Sequence, residues 1–316
     1  MSAISVTDLV REFVVRRPAG RFRRDRRTVR AVDGISFEIG QGEAVGYIGA
    51  NGAGKSTTIK MLTGILVPTS GTVRTLGLDP VARRRELARS IGAVFGQRSQ
   101  LWWDLPLRES YRILAALHGI DGTARTHELV ERLELGDFLD TPVRQLSLGQ
   151  RMRGEVAAAL VHSPQVVVLD EPTIGLDVLS KEKLRVFLRE ERERSGTTLL
   201  LTTHDMSDIE RLCDRVLVVD HGRLAYDGTL SGLAGTVGAE RVLVVDLVEP
   251  AVLDVPGTTL MSSEAGGLRQ RLSFTTSAAA VISAVAQQAE IRDLTIDEPD
   301  IEDVVRRLYL AGGRGD

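Results

Sequence analysis

The chain has 316 residues, 43% of them hydrophobic and 26% charged, which is typical of a folded globular protein with one large and one smaller domain. A net charge of −3 excludes a global electrostatic attraction to nucleic acid or to anionic membranes. The single cysteine, Cys213, excludes disulfides within the chain and fits a reducing compartment. The first residues lack a signal-peptide pattern and no window approaches the ~20 apolar residues of a membrane span, so we expect a cytoplasmic location.

The N-terminal part alternates apolar and polar residues, which predicts strands in AISVTDL and in AVDGISFEI. Between them lies the segment Arg16–Arg30, which holds eight arginines and one acid, Asp25. We expect a solvated and partly mobile insertion here, because a run of charges is usually a solvated surface. The alternative is attraction to anionic lipids on the cytoplasmic leaflet.

Five short, nearly continuous apolar runs follow, and they predict parallel strands that are buried on both faces. They occupy residues 44–49, 91–96, 165–170, 197–204 and 215–220. Between Leu105 and Ser163 the pattern turns helical, which predicts a helical subdomain over residues 98–163. The first 230 residues are therefore expected to form a domain of the α/β class.

The first of these runs leads into GANGAGKST, which fits the phosphate-loop pattern G-x-x-x-x-G-K-[ST]. Its glycines let the backbone wrap around phosphates, and the following helix points its positive end at the anion. We expect Lys55 to reach the β- and γ-phosphates of a nucleotide and the Ser56 hydroxyl to ligate Mg²⁺. The nucleotide-binding residues predicted here are Gly49, Asn51, Gly52, Ala53, Gly54, Lys55, Ser56 and Thr57.

Polar side chains also follow three of the other predicted strands. VVVLDEP places Asp170 and Glu171 at the carboxyl end of a buried strand, where open α/β sheets bind ligands. We expect Asp170 to hold magnesium and Glu171 to polarise the attacking water as a general base. His204 follows a neighbouring strand and is expected to contact the γ-phosphate, while Gln97 is expected to sense the metal and the attacking water.

The stretch LSLGQR, residues 146–151, predicts the start of a helix. Ser147 and Gln150 have the spacing of a capping box, in which each side chain accepts a hydrogen bond from the other residue's backbone N–H. Two uses of this helix start are open from the residues alone. It begins a buried helix, or it presents its free N–H groups to an anion.

In their order along the chain, GANGAGKST, Gln97, LSLGQ, VVVLDEP, GLD and His204 resemble the nucleotide-binding subunits of ABC (ATP-binding cassette) transporters. The resemblance covers residues 1 to about 230 and is closest to the type-2 class of ABC exporters, through GQRSQLWWDLP, LSLGQRMR and DEPTIGLD. It implies a P-loop ABC ATPase core with an antiparallel β-subdomain and a helical subdomain, and ATP and Mg²⁺ as ligands. It also implies a homodimer, or a heterodimer with a related ATPase subunit, bound to transmembrane permease subunits at the inner face of the cell membrane.

The family's functional residues carry over by position. Phe13 takes the place of the aromatic residue, usually tyrosine, that stacks on adenine. Ser147, Gly149 and Gln150 match the signature motif, which contacts the ATP held by the opposite subunit, and Asp177 matches a loop aspartate that communicates across the dimer. Because the chain has no second phosphate loop, an anion-binding helix start fits such a role in trans.

Two features stand apart from the motifs. Leu148 lies where the commonest signature motif has glycine, and we expect activity to be retained because LSLGQ resembles the form this subgroup uses. Trp102 and Trp103 are adjacent, so they cannot both face one core. Either they pack inside the helical subdomain or they contact the permease, since exposed aromatic residues favour interfaces.

The composition changes after Thr229, which predicts a linker at 231–239 and a small C-terminal α+β domain at 240–316. Strands are predicted in RVLVVDL, TTLMSS, RQRLSFT and EIRDLTID, and helices in SAAAVISAVAQQA and DIEDVVRRLYL. This domain has 13 acidic and 7 basic residues, a net charge of −6, and no catalytic constellation. We expect it to support a dimer.

The main hypothesis is an ATP-hydrolysing subunit that drives a separate permease, in the direction of export, with no nucleic acid as partner. One rival is a soluble ABC ATPase that acts on nucleic acid or ribosomes. Chromosome-maintenance types need long coiled coils between Lys55 and Asp170, and that interval holds only about 115 residues without sustained heptads. The other rival is a non-hydrolysing regulator, against which the presence of Glu171 and His204 argues.

Overall fold

A computed structural model describes residues 2–18, 24–96, 99–236, 240–297 and Val304. The chain divides into two compact units, Met1–Gly228 and Thr229–Asp316. In the part of the chain that is described, no helix has both the length and the apolar character needed to cross a membrane.

Unit 1 contains nine described strands and seven described helices. The strands are β1 Ser2–Pro18, β2 Arg24–Gly40, β3 Ala44–Gly49, β4 Ser70–Thr75, β5 Ile91–Phe95, β6 Val166–Asp170, β7 Thr198–Thr202, β8 Arg215–Asp220 and β9 Arg223–Gly228. The helices are α1 Lys55–Leu62, α2 Arg84–Leu87, α3 Leu107–His118, α4 Thr123–Arg132, α5 Leu148–Leu160, α6 Val178–Ser195 and α7 Met206–Leu212. Two short 3₁₀ helices, Gly136–Phe138 and Val143–Gln145, precede α5.

The central sheet has six strands in the order β5-β6-β7-β3-β8-β9, parallel except for the pair β8–β9. The five apolar runs predicted as parallel strands are confirmed as β3, β5, β6, β7 and β8. Their valine and leucine side chains and Ile48 are buried, and Ile91 of the edge strand β5 is partly buried, because a parallel sheet is covered on both faces. This order brings the strands before the phosphate loop, before Glu171 and before His204 side by side. The predicted α/β class is confirmed.

A second sheet of unit 1 is antiparallel, with the order β2-β1-β4. Its residues Ile4, Leu9, Ile35 and Ile39 are fully buried in one core with residues of the parallel sheet. The segment expected to be a solvated insertion between two strands is itself strand on either side of 19–23, and its residues 27–30 are exposed, as expected for a solvated segment. The two strands continue through the arginine run, with Arg16 opposite Arg26 and Pro18 opposite Arg24. Residues 19–23 lie outside the described residues.

The interval between β5 and β6 is helical, as predicted, and ion pairs fasten it to the core helix α6. The carboxylate of Glu191 in α6 is buried, with 3% of the side chain exposed, and binds Arg125, Arg132 and Arg194. Arg125 and Arg132 belong to α4, so one buried carboxylate joins the helical segment to the parallel-sheet layer. Glu128 in α4 binds the same three arginines from the solvent side.

Unit 2 has a four-stranded antiparallel sheet in the order β11-β12-β10-β13. Its elements are α8 Leu230–Thr236, β10 Arg241–Leu247, β11 Thr258–Glu264, β12 Arg269–Phe274, α9 Ala278–Gln288 and β13 Ile291–Asp297. The predicted strands and the helix at 277–289 are confirmed, and Val281 and Val285 of α9 pack on the sheet. The segment interpreted as a linker is helical over α8, where Leu233 is buried. The helix predicted in DIEDVVRRLYL lies outside the described residues, apart from Val304.

We predict that Glu191→Ala lowers the free energy of unfolding of the chain by about 1–3 kcal/mol, because three arginines lose their buried partner and keep only the more exposed Glu128. The matched control is Glu190→Ala, which removes the neighbouring carboxylate, 58% exposed and paired with Arg132. That change should cost less than about 1 kcal/mol, as for other exposed ion pairs. Urea unfolding followed by circular dichroism measures the free energy of unfolding of both variants. Equal losses would contradict the prediction, because burial of the carboxylate would then add nothing to its contribution to stability.

Candidate nucleotide site

The phosphate loop connects β3 to α1 through a glycine-rich turn at the edge of the parallel sheet. Gly54 begins the helix with φ 103°, and a Cβ there would lie 2.4 Å from the carbonyl oxygen of Ala31. A Cβ on Gly49 would lie 2.5 Å from the carbonyl oxygen of Val219. Gly52 also has a positive φ of 84°, but open space surrounds the position of its missing Cβ. The glycines therefore serve different needs: two allow close backbone approach, and the third keeps the loop open to a ligand.

Lys55, the first residue of α1, folds its side chain back over the loop. Its Nζ donates hydrogen bonds to the carbonyl oxygens of Gly49 and Ala50, the latter at 3.2 Å. Burial lowers the pKa of Lys55, and the negative charges of Glu171 and Asp170 oppose that shift. The loop thus holds a half-buried cation close to both carboxylates, beside the backbone N–H groups of a helix start. Such a place suits a polyphosphate.

The carboxylates lie where β6 ends. Asp170 accepts a hydrogen bond from the Thr202 hydroxyl of the neighbouring strand, and the N–H of Glu171 donates to the Thr202 carbonyl oxygen at 2.9 Å. Glu171 has φ 57°, a left-handed conformation that non-glycine residues rarely adopt and that is often found at functional sites. The backbone bond to Thr202 holds it there.

Glu171 faces His204, which follows β7. The N–H of His204 donates to Glu171 Oε2 at 3.4 Å, and His204 Nε2 lies 3.5 Å from Glu171 Oε1. Burial raises the pKa of Glu171, while His204 and the cation of Lys55 oppose the shift and Asp170 adds to it. A raised pKa is what a carboxylate needs to accept a proton near neutral pH. The predicted general base and the predicted γ-phosphate contact are therefore brought together, with Lys55 close by.

A buried network behind this pair fixes the loops that carry it, and the motifs did not reveal it. Asp208 of α7 is fully buried and accepts hydrogen bonds from the hydroxyls of Thr173, at 2.6 Å, and Thr203, at 3.0 Å. Arg185 of α6, also buried, binds the same carboxylate at 2.6 Å. Thr173 stands two residues after Glu171, and Thr203 immediately precedes His204. In the sequence Asp208 is one of two acids in the helix MSDIERL, and nothing distinguishes it there from the exposed Glu210.

The helix start at Ser147 has the predicted capping box. The N–H of Gln150 donates to Ser147 Oγ at 3.2 Å, and the N–H of Ser147 donates to Gln150 Oε1 at 2.9 Å. Both side chains of the box are thus engaged in holding the helix start, and Ser147 itself is exposed.

Leu148 covers Gly175, in the loop between Glu171 and α6. A Cβ on Gly175 would lie 2.3 Å from Leu148 Cδ2, and Gly175 has φ 74°, so glycine is required there on two counts. Gly149 packs on the same loop, since its own Cβ would lie 3.0 Å from Leu176 Cδ2. A leucine in place of the commoner glycine therefore adds a contact between the signature helix and the loop that leads away from Glu171.

The segment after β5 is held by the signature helix α5. Glu155 is buried and accepts hydrogen bonds from the Ser99 hydroxyl and from the N–H of Gln100, the latter at 3.2 Å. Burial raises the pKa of Glu155. Arg151 of the same helix places its guanidinium 5.6 Å from the ring centre of Trp103. Glu155 was also not among the predicted site residues. The sequence could have indicated its burial only through its position at the start of the apolar run EVAAALV.

The remaining predicted residues fall in three places. Phe13 lies on β1 opposite Val29, and the guanidinium of Arg11 sits 4.7 Å from its ring centre. Asp177 caps α6 by accepting hydrogen bonds from the N–H, at 3.0 Å, and the hydroxyl of Ser180, which lower its pKa. Gln97 lies outside the described residues. Asn51 and Ser56 are exposed in the phosphate loop, Thr57 is half-buried and Ala53 is buried.

The donor set fits a hard divalent cation that binds together with a nucleotide. The described residues contain no cluster of three or more His, Cys, Asp or Glu side chains able to hold a metal by themselves. Ser56 and Asp170 offer one hydroxyl and one carboxylate, both oxygen donors of the kind that Mg²⁺ prefers. Magnesium commonly takes its other ligands from phosphates and water, so a sparse protein set suits it.

Comparison with known proteins points to one family. The sequence profile of the ABC transporter family matches residues 32–174. Nod factor export ATP-binding protein I of Paraburkholderia xenovorans is 35% identical over 281 residues, which cover 88% of this chain and 91% of that protein. The daunorubicin/doxorubicin resistance ATP-binding protein DrrA of Streptomyces peucetius is 34% identical over 301 residues, covering 91% and 89%. A dimeric structure of a bacterial ABC transporter cassette superposes with a TM-score of 0.61 at 25% identity, over 72% of this chain and 98% of that one.

We predict that Asp208→Ala lowers the free energy of unfolding by about 3 kcal/mol, because a buried guanidinium and two hydroxyls lose their acceptor. It should also lower kcat for ATP hydrolysis more than it raises KM, since the loops of Glu171 and His204 are set by this carboxylate. The control, Glu182→Gln, removes another partner of Arg185 that is 40% exposed, and should leave both properties nearly unchanged. A stability loss without any change in kcat would contradict the positioning role.

Proposed function

This chain belongs to the ABC transporter family, and from that premise we propose that it is the ATP-hydrolysing subunit that drives a separate membrane permease in export. The observation that carries the proposal is the meeting of Lys55, Asp170, Glu171 and His204 at one edge of the parallel sheet. These are a cation for phosphate, a carboxylate for the metal, a base with a raised pKa and an imidazole beside it.

We assign the hydrolytic roles to this chain's own groups. The phosphate loop and Lys55 bind the β- and γ-phosphates, and Phe13 is assigned to the adenine ring. Ser56 and Asp170, with Gln97 as a further candidate, would hold Mg²⁺, which neutralises charge on the phosphate oxygens when bound. Glu171 orients the attacking water and accepts its proton, and burial favours that step by raising its pKa. His204, whose Nε2 lies 3.5 Å from Glu171 Oε1, is assigned to the γ-phosphate.

The signature helix is assigned to the ATP of a second subunit. Ser147 and its capped helix start are exposed, so the helix start is open to an anion. Beside it, the start of α6 carries exposed apolar side chains, with Val178 82% and Leu179 74% accessible. Exposed apolar groups next to an exposed anion site favour burial against a protein partner. A second copy, or a related subunit, would cover both, with Asp177 at the junction.

Coupling to the permease is assigned to the segment 99–103. Trp103 is 51% exposed and Trp102 36%, which supports an interface role over core packing for at least one of them. The same segment binds Glu155 and Arg151 of α5, whose first turn contains the signature residues. A partner that displaces the tryptophans would therefore displace the signature helix. In the opposite direction, ATP binding at the signature helix would displace the tryptophans.

The direction of transport is taken from relatives. Nod factor export ATP-binding protein I and DrrA bear names of export and drug resistance, and they match most of this chain. We propose the same direction here, with the subunit held at the inner face of the cell membrane by its permease. Within the described residues between Lys55 and Asp170, the longest helix is α5, with 13 residues. That length offers no support for a coiled-coil ATPase acting on nucleic acid.

We predict that Glu171→Gln lowers ATP turnover by at least 100-fold, as expected for the loss of a general base, while ATP binding is preserved. A stable ATP-dependent dimer should accumulate, because closure no longer ends in hydrolysis. The control is Glu210→Gln, which removes an exposed carboxylate from α7, close to His204 in sequence. Turnover and size-exclusion chromatography with ATP measure the outcome, and near-normal turnover of Glu171→Gln would refute the assignment.

We predict that two inactive variants complement each other if the signature helix serves ATP in trans. Lys55→Ala and Ser147→Arg should each abolish hydrolysis as homodimers. A mixed dimer contains one site with an intact phosphate loop and an intact signature helix, so mixing should restore part of the activity. Mixing Lys55→Ala with Glu171→Gln is the negative control. Both substitutions belong to the half of a site that holds the phosphate loop, so each of the two sites in this mixed dimer keeps one defect. No recovery in the first mixture would remove the role in trans.

A further inference from the structure

The hairpin of β1 and β2 extends beyond the rest of its sheet. β4 pairs with β1 only from Ile4 to Val10, whereas β1 and β2 stay paired out to Pro18 and Arg24. We call the paired residues 11–18 and 24–30 the basic ribbon. Among the described strands, no third strand pairs with the ribbon, and Val14, Val15 and residues 27–30 are exposed.

The charge of the ribbon is opposite to that of the rest of the chain. The ribbon contains seven arginines and two acids, Glu12 and Asp25, a net charge of +5, whereas the whole chain carries −3 and the remainder therefore −8. At the base of the ribbon, Arg30 is already paired with Glu12 at 2.9 Å and Asp33 at 2.8 Å. Glu12 and Asp33 are thus already paired, and the one acid that the sequence places further out, Asp25, stands opposite Arg17. The other outer arginine positions have no acid in the ribbon.

The strand register increases this need. Arg16 stands directly opposite Arg26, and like charges at opposed positions destabilise an antiparallel pair. Position 24, opposite Pro18, falls on the same face because residues alternate between the two faces of a ribbon. Three arginine positions therefore share one face. An external anion would offset the positive charge that the register concentrates at these positions.

Apolar side chains accompany the charge. Val14, on the face of Arg16 and Arg26, is 64% exposed, and Val15 and Val29 on the other face are 40% and 42% exposed. A membrane surface accepts both kinds of group, because its headgroups bind arginine and its interfacial layer takes up apolar side chains. A nucleic-acid backbone would satisfy the charge but offers the valines nothing.

We propose that the basic ribbon binds the anionic headgroups of a membrane surface directly. The contact requires neither nucleotide nor permease, so it goes beyond the proposed function and is tested apart from it. The acidic remainder of the chain is repelled by the same surface, which orients the subunit with the ribbon toward the lipid.

The test is flotation of the full chain with vesicles, without nucleotide. We expect binding to vesicles of phosphatidylcholine and phosphatidylglycerol in equal amounts, little binding to phosphatidylcholine alone, and release by salt. The variant Arg16→Gln/Arg24→Gln/Arg26→Gln should lower the partition coefficient roughly 100-fold, the fold-change that about 1 kcal/mol per arginine gives for three residues. ATP turnover of this variant in solution should stay normal. Failure of the proposed function would appear as absent turnover in the unchanged chain, and failure of the membrane proposal would appear in vesicle binding alone.

The matched control is Arg83→Gln/Arg84→Gln/Arg85→Gln, which removes the same charge from an exposed stretch at α2. It should keep the partition coefficient within about twofold of the unchanged chain. Equal losses in both triple variants would overturn the proposal, because net charge alone would then be responsible. So would undiminished binding of the ribbon variant, absence of binding to the anionic vesicles, or ribbon-dependent binding to RNA in place of vesicles.

Discussion

The parallel pairing of β6, β7 and β3 is the constraint on which the site depends. Parallel strands all end at one edge, so the residues that follow them must meet there. Glu171 follows β6, His204 follows β7 and the phosphate loop follows β3. Hydrophobic burial on both faces holds the strands in this layer, and their backbone ladder fixes which residues end at this edge. The catalytic geometry is thus a consequence of packing some distance away from it.

Buried carboxylates then fix the joints around that edge. Asp208 ties the loops after Glu171 and before His204 to α6, Glu155 ties the segment after β5 to the signature helix, and Glu191 ties α4 to α6. Each accepts several hydrogen bonds or ion pairs, as a buried charge must to offset its desolvation. Each joins elements that are far apart in sequence. A displacement of one element would therefore reach the next through these contacts.

The two ends of the β1–β2 hairpin differ in burial and in charge. Near its base, apolar residues such as Leu9 and Ile35 are buried in the core of unit 1. Further out, the strands are held mainly by their own ladder, and arginines replace the apolar residues. Phe13 lies within the basic ribbon, near its base, so the residue assigned to adenine belongs to the same element as the outer arginines. A ribbon held at a membrane surface would thereby hold the adenine side of the site as well.

The sequence by itself determined the parallel strands, the phosphate loop, the carboxylate pair and the capped helix at Ser147, because each is written in local order: apolar runs, glycine spacing and a serine three residues before a glutamine. It also determined the family, since those motifs keep one order along the chain. Only the tertiary structure decided that Asp208, Glu155 and Glu191 are buried, that Leu148 packs on Gly175, and that the arginine run continues a hairpin. The physical reason is that the local sequence around a charged residue does not show whether its side chain faces water or a partner. The partner comes from an element distant in the chain, and only folding brings the two together.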